Sequence, residues 1–255
     1  HGEVSSFQEW WLGDQIVVTT GGAAGGDVTT EPFNRGGTPA VFFEAHTGAS
    51  DQPASPTMLD FWPAVWTADH RLRGVAYVLA VFKGVTREEF SEVFRDSYNL
   101  PVRVVIDASR VWDPRSPTQD QANLATHTWT ENPALIALDY ILSVDGLRKP
   151  LSQVDVESFI GMANRCDELV SRVDDYPERR YRCWGGYTLA ENPKDVLARI
   201  VETCDGELYE TSDGKIAIRG GAWAAPAIAF SDDDVLSFSI ERGNGKLASY
   251  NELKP

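Results

Sequence analysis

The stretch WTENPALIALDYIL, Trp129 to Leu142, sets a polar cap and a proline in front of a dense apolar run. Asn132 can accept hydrogen bonds from the unpaired N–H groups that open a helix. Pro133 suits the first helical position, where its missing N–H is no loss. Leu135, Leu138, Ile141 and Leu142 then fall on one stripe at helical spacing, which predicts a helix over 133–143. Such a run can line a site or build a wall. With no titratable set beside it, the wall is expected.

Moving C-terminally, Asp155 is placed to cap a second helix, with Val156, Phe159, Ile160, Ala163, Cys166 and Val170 along one side. The Asn-Pro device returns at Asn192 and Pro193. Asp195 follows in the first turn, Val196, Leu197, Ile200 and Val201 form the buried face, and Gly206 is expected as a left-handed cap. ELYETSDGKIAIRGG then reads as two alternating strands about Asp213–Gly214, a hairpin signal. Residues 180–220 thus read strand, helix, hairpin. A further strand is expected at 235–241, before a Gly-Asn-Gly turn.

N-terminally the punctuation changes to Gly, Thr, Pro and Ser between short β-type runs, QIVVTT (15–20) and AVFFEAHTG (40–48). GGAAGGDVTTEPFNRGG between them is expected as a long loop or extended flap. RGVAYVLAVFKG (73–84) predicts a strand buried on both faces, and VRVVIDASRVWDP (102–114) follows the same pattern. TREEFSEVF (86–94) joins them as a short helix, with Thr86 and Glu89 spaced as a capping box. The fold class expected is α+β. A β-rich part with a loop-rich insertion occupies 1–114, a helical segment 115–178, and a small α+β domain with a return strand 179–255.

Bulk properties bound the function. The chain has 255 residues, 42% of them hydrophobic, and no apolar run approaches the roughly 18 residues of a membrane span. Its first residues lack an initiator Met and the charged and apolar regions of a signal peptide, which suggests that the N-terminus is a cut or that a fragment is in hand. The formal net charge of −15 opposes stable nucleic-acid binding, because phosphates are held by a surplus of Lys and Arg. ERRYR (178–182) is the local exception, expected as a solvated turn or as ion-pair partners of Asp174 and Asp175.

No catalytic, metal or cofactor site is predicted. Cys166, Cys183 and Cys204 lack CxxC spacing and are expected as free buried thiols. His46, His70 and His127 stand apart from metal-ligand spacings, and no nucleophile elbow or phosphate-binding glycine loop occurs. The carboxylates of Glu88 and Glu89, and of Asp232, Asp233 and Asp234, read first as solvated charge. More informative are Trp10, Trp11, Trp62 and Trp66, all in the loop-rich first part, as candidate contacts for a protein or a sugar. Trp62 and Trp66, four apart around Pro63, also suit a hydrophobic knuckle feeding the strand at 73.

Taken in order, WTADHRLRGVAYVLAVFKG, VRVVIDASRVWDPR, WTENPALIALDYIL, VDVESFIGMANRCDE and RYRCWGGYTLAENPKDVLARIVETCDGELYETSDGKIAIRGG resemble the central tail-hub, or tip attachment, proteins of lambda-like long-tailed phages. The opening HGEVSSFQEWWLGDQIV is similar to that family's lead into an inserted domain. The resemblance implies a barrel-like hub domain and a homotrimeric ring in the virion's tail tip. Such a ring joins the tail tube and distal tail protein to the central fibre and opens a channel for DNA at infection. It implies no catalytic residue and no cofactor. An acidic channel lining would repel DNA, and Glu88, Glu89, Asp232, Asp233 and Asp234 are its candidates. The alternatives are a carbohydrate-binding module built on the Trp-rich loops and a cell-wall hydrolase with converging carboxylates, the latter disfavoured by the missing motifs.

Overall fold

The computed structural model describes residues 2–94, 100–173 and 176–221 of one unit, with Ser231, Asp234 and Ser237 of a second unit over 222–255. The strand expected at 235–241, like Asp174, Asp175, Asp232 and Asp233, lies outside the described residues.

The first part runs β1 (Ser6–Leu12), β2 (Gln15–Val17), β3 (Gly25–Asp27), β4 (Asn34–Arg35), β5 (Thr38–Pro39), β6 (Val41–His46), α1 (Pro56–Phe61), β7 (Tyr77–Phe82), α2 (Arg87–Val93) and β8 (Val102–Asp107). Two three-stranded antiparallel sheets result, ordered β2-β1-β8 and β3-β6-β7. Their inward side chains, among them Phe7, Trp10, Leu12, Val41 and Phe43, form one apolar core with Phe94 at the end of α2. The capping box forms as read: Thr86 accepts from Glu89 N, and the Glu89 carboxylate answers Thr86 N at 3.1 Å.

Three expectations for this part need correction. Among the described residues the sheets do not close into a barrel, because β7 and β8 each pair on one side only and end their sheets. β7 is accordingly half-buried along its length and not buried on both faces. The glycine-rich stretch is also more than a loop: after a single 3-10 turn, Gly25 starts β3 and pairs with Glu44. A Cβ at Gly25 would collide with the Phe43 carbonyl, and its φ of +94° disfavours other residues, so glycine is what lets the chain approach β6.

The second part runs β9 (Arg110–Val111), β10 (Thr128–Trp129), α3 (Pro133–Leu142), α4 (Val156–Asp167), β11 (Leu169–Ser171), β12 (Pro177–Arg179), α5 (Pro193–Glu202), β13 (Gly206–Glu210) and β14 (Ile216–Gly220). Here α3 packs against α4 and α5, while the β13–β14 hairpin covers α4 and α5. Leu135, Leu138 and Ile141 are fully enclosed in the core they share with Phe159, Cys166, Val196 and Ile218; Leu142 is half-buried at its margin. WTENPALIALDYIL is therefore a wall and not a pocket lining. Asp155 N donates to Ile216 O at 2.9 Å, and Ile218 N to Ser158 Oγ at 3.1 Å, which fastens the hairpin to the start of α4.

Local details differ from the reading in informative ways. The Asp155 side chain makes no cap bond to α4, and Val170 lies beyond the helix in β11. After α5 the left-handed residue is Asp205, with φ 52°, while Gly206 opens β13. Glycine is still needed at 206, because a Cβ would lie 2.9 Å from Val201 Cγ1 and 3.1 Å from Cys204 Sγ. The hairpin turn spans Thr211–Lys215, closed by Thr211 N to Lys215 O at 2.9 Å, wider than a two-residue Asp-Gly turn. The strand expected ahead of α5 is only β12 at Pro177–Arg179. Arg179 of β12 and the arginines that follow it pair with carboxylates near in space: Arg179 with Asp167 at 3.5 Å, Arg180 with Glu168 at 3.0 Å and Arg182 with Glu131 at 3.7 Å.

Candidate functional site

Between β6 and β7 the chain leaves the sheet for an excursion over 47–76 that carries α1 and the aromatic run. Its base is stapled by buried polar groups. Gln52, only 4% exposed, accepts from Gly48 N at 2.7 Å and donates to Arg71 O at 2.9 Å and Leu72 O at 3.1 Å. Gly74 N bonds Gly48 O, and Gly2 N bonds Gly74 O, each at 2.9 Å. These bonds join the outgoing and returning arms.

A second anchor comes from the central strand of the sheet. Glu44 on β6 receives Thr57 N at 3.3 Å and also binds the Thr57 hydroxyl and His46 Nε2. Burial alone would raise the Glu44 pKa, but hydrogen bonds from Ser55, Thr57 and His46 outweigh it and hold the carboxyl below its usual range. His46 stacks on Tyr77, with ring centroids 4.4 Å apart and planes 9° from parallel. Burial and the Glu44 charge push the Tyr77 hydroxyl up, and that buried hydroxyl has no hydrogen-bond partner among the described residues. The sequence hid this cluster because it joins residues from strand and excursion that share no local pattern. It positions α1, whose Ser55 cap accepts from Met58 N at 3.1 Å.

The predicted site residues separate. Trp10 is a core residue, 3% exposed, stacked 4.8 Å from Phe43 with its indole N–H donated to Gly22 O at 3.0 Å; it is no contact candidate. Trp11, its neighbour on the opposite face of β1, is partly exposed beneath the Arg103 guanidinium, 5.6 Å from the ring centroid. Trp62 is 52% exposed at the excursion's tip beside Phe61 at 57% and Val65 at 71%. Trp66 is half-buried 5.1 Å from His70, and its buried indole N–H has no partner among the described residues. Trp66 N bonds Trp62 O at 2.8 Å, so the pair forms a turn, with one ring turned out and the other partly covered.

Of the acidic candidates, Glu88 is exposed on α2, and Glu89 is engaged in the capping box, whose Thr86 bonds lower its pKa. Asp234 accepts from Ser231 N at 2.9 Å and Ser231 Oγ at 2.8 Å, which likewise lowers its pKa.

Elsewhere, Arg115 bridges Asp113 and Asp167 at 2.8 and 2.9 Å, and tightens β9 onto the end of α4. Cys166 and Cys204 are buried free thiols, while Cys183 is half-buried. The Cys204 thiol is pushed up by its hydrogen bond to Cys166 and by burial, which leaves it inert as a nucleophile. Asp139, on α3, is pushed up to about 6 by burial, against the opposing pull of His127. His127 Nε2 faces Asp120 O at 3.1 Å, and its buried Nδ1 has no hydrogen-bond partner among the described residues. Among the described residues no group of three or more His, Cys, Asp or Glu is placed to hold a metal ion. No described helix is long and apolar enough to cross a membrane.

No family model and no curated protein matches the chain.

A second exposed apolar surface lies on the β2-β1-β8 sheet. Trp11 faces Ile16 on one side and Arg103 on the other, and Glu9 faces Val105. Ile16 is 50% and Val105 46% exposed, on strands whose opposite face is core. Isolated apolar side chains are ordinary on a surface; a cross-strand group of them suits a protein contact.

Proposed function

We propose that the chain is a structural subunit of a phage tail tip. It acts through protein–protein surfaces as a hub, three copies forming a ring that joins the tail tube and distal tail protein to the central fibre and leaves a channel for DNA. The ordered resemblance of five segments supports this reading. The structural observation that carries it furthest is the cross-strand group of exposed Ile16 and Val105 with partly exposed Trp11, a surface suited to a subunit that is completed by neighbours.

The charge of −15 is compatible with a passage that DNA crosses without being held, because an acidic lining releases no counterions from the duplex. On this reading some of the carboxylates among Glu88, Glu89, Asp232, Asp233 and Asp234 are candidates for that lining. Of the tryptophans behind the carbohydrate-binding alternative, Trp10 lies in the core and Trp11 on the sheet face, so its remaining support is the exposed ring of Trp62. Electron-microscopic class averages of the purified protein test the proposal. Three-fold rings around an axial channel are expected; compact single particles, or rings with a basic lumen, contradict it.

A further inference from the structure

Trp184 lies between β12 and α5 and is 72% exposed, yet its ring is fixed. The indole N–H donates to Glu131 Oε1 at 2.6 Å, and the preceding Cys183 N donates to Glu131 O at 2.8 Å, so one residue holds both the side chain and the backbone beside it. Further along, Tyr187 stands edge-on to Tyr140 with ring centroids 5.0 Å apart, and Thr188 N donates to Glu191 Oε1 at 2.6 Å. Between these fastenings lie Gly185 and Gly186, where a Cβ would meet nothing within 4 Å. They set no side chain beside the indole. A large flat ring is thus offered to solvent with little ordering left to be done on binding. Charged hydrogen-bonding groups lie next to it. Glu131 Oε2 faces Arg182 Nε at 3.7 Å, and Arg182, 40% exposed, makes no hydrogen bond among the described residues.

We propose that Trp184 is the stacking platform of a carbohydrate site for a neutral pyranose, with Glu131 and Arg182 bonding the sugar's hydroxyls. A pyranose has an apolar C–H face and a rim of hydroxyls. The fixed indole answers the face, and a carboxylate acceptor beside guanidinium donors answers neighbouring hydroxyls. Acid and base offset each other locally, and a chain of net charge −15 repels anionic sugars, which leaves the neutral class. A nucleic acid would also stack on an aromatic among arginines, but Arg179, Arg180 and Arg182 each face a carboxylate and leave no surplus for phosphates. A protein hot spot is ringed by side chains that shut out water, whereas Trp184 is followed by two exposed glycines. The site is separate from Trp10, Trp11, Trp62 and Trp66, and it does not depend on ring assembly.

Binding of the 255-residue chain to an array of immobilised neutral oligosaccharides, ending in glucose, galactose, mannose or N-acetylglucosamine, tests the proposal. The native chain should be retained on at least one of them, and Trp184→Ala should weaken that binding roughly ten-fold or more. Trp184→Phe keeps a ring but lacks the N–H that Glu131 holds, and should fall between the two. Tyr209→Ala, at an exposed aromatic on β13, should bind as the native chain does. The proposal is overturned if no neutral sugar retains the native chain, if Trp184→Ala and Trp184→Phe both bind as the native chain, or if Trp62→Ala abolishes binding while Trp184→Ala does not.

Discussion

Asn132 joins two helices through one side chain: its Oδ1 accepts from Ala134 N at 3.1 Å and Leu135 N at 3.4 Å, and its Nδ2 donates to Ala163 O on α4 at 2.9 Å. The residue is 1% exposed, so every one of these bonds is made away from water. Asn192 caps α5 by a single bond to Lys194 N at 3.0 Å, at the surface. The two Asn-Pro entries therefore differ in weight. Asn132→Ala should destabilise by about 2–4 kcal/mol, a cap plus a buried unsatisfied carbonyl, and Asn192→Ala by about 1 kcal/mol. Asn132→Asp should be no rescue, because it keeps the cap but turns a carboxylate oxygen toward Ala163 O. Denaturant midpoints of the three variants provide the check.

Leu138, fully buried on α3, gives the core its plainest test. Leu138→Asp should abolish soluble, stable protein, because an unpaired buried charge joins the loss of an apolar side chain worth about 1.5–3 kcal/mol. A variant with unchanged thermal melting would mean that the helix is not the wall it is described to be.

Asp139 gives stability a specific dependence on pH. Its folded-state value of about 6 lies above the reference 3.8, so the folded protein holds this proton more tightly than the unfolded chain. The burden is absent below the lower value, grows through the window between them and is complete above the upper one. Stability should thus fall as pH rises from 4 to 7, with this carboxyl contributing up to about 3 kcal/mol. Glu44 and Asp113, whose pKa values are lowered, give the opposite slope at lower pH. Subtracting Asp139→Asn from the native chain therefore isolates the effect: the variant should be the more stable at pH 7 and equal near pH 4.

Trp10 and Trp62 should part company on substitution. Trp10→Ala removes a buried ring stacked on Phe43 and should destabilise by about 3–5 kcal/mol. Trp62→Ala, at an exposed tip, should stay within about 0.5 kcal/mol of the native chain. Equal melting shifts would contradict the assignment of one to the core and the other to the surface.

The contrast between these tryptophans shows how far sequence reaches. Asn132-Pro133, Asn192-Pro193 and Thr86-Glu89 were legible because a cap is satisfied by residues two or three positions away. Trp10 was not, because its place depends on Phe43 and Gly22, which belong to other elements and meet it only when the two sheets pack together. Gly25 looked like a loop residue for the same reason: its need for glycine comes from the Phe43 carbonyl across the sheet. The Glu44, His46 and Thr57 anchor lay hidden, since carboxylate, imidazole and hydroxyl meet only when α1 folds back toward β6. Trp62 was legible as a candidate, although its exposure came only with the stapled excursion.

Native mass spectrometry of the purified chain at micromolar concentration tests the assembly reading most directly. A dominant species at three times the 28.2 kDa chain mass, reduced to single chains by Val105→Asp on the exposed sheet face, is the predicted result. A 28.2 kDa monomer at every concentration, unchanged by that substitution, would contradict the hub.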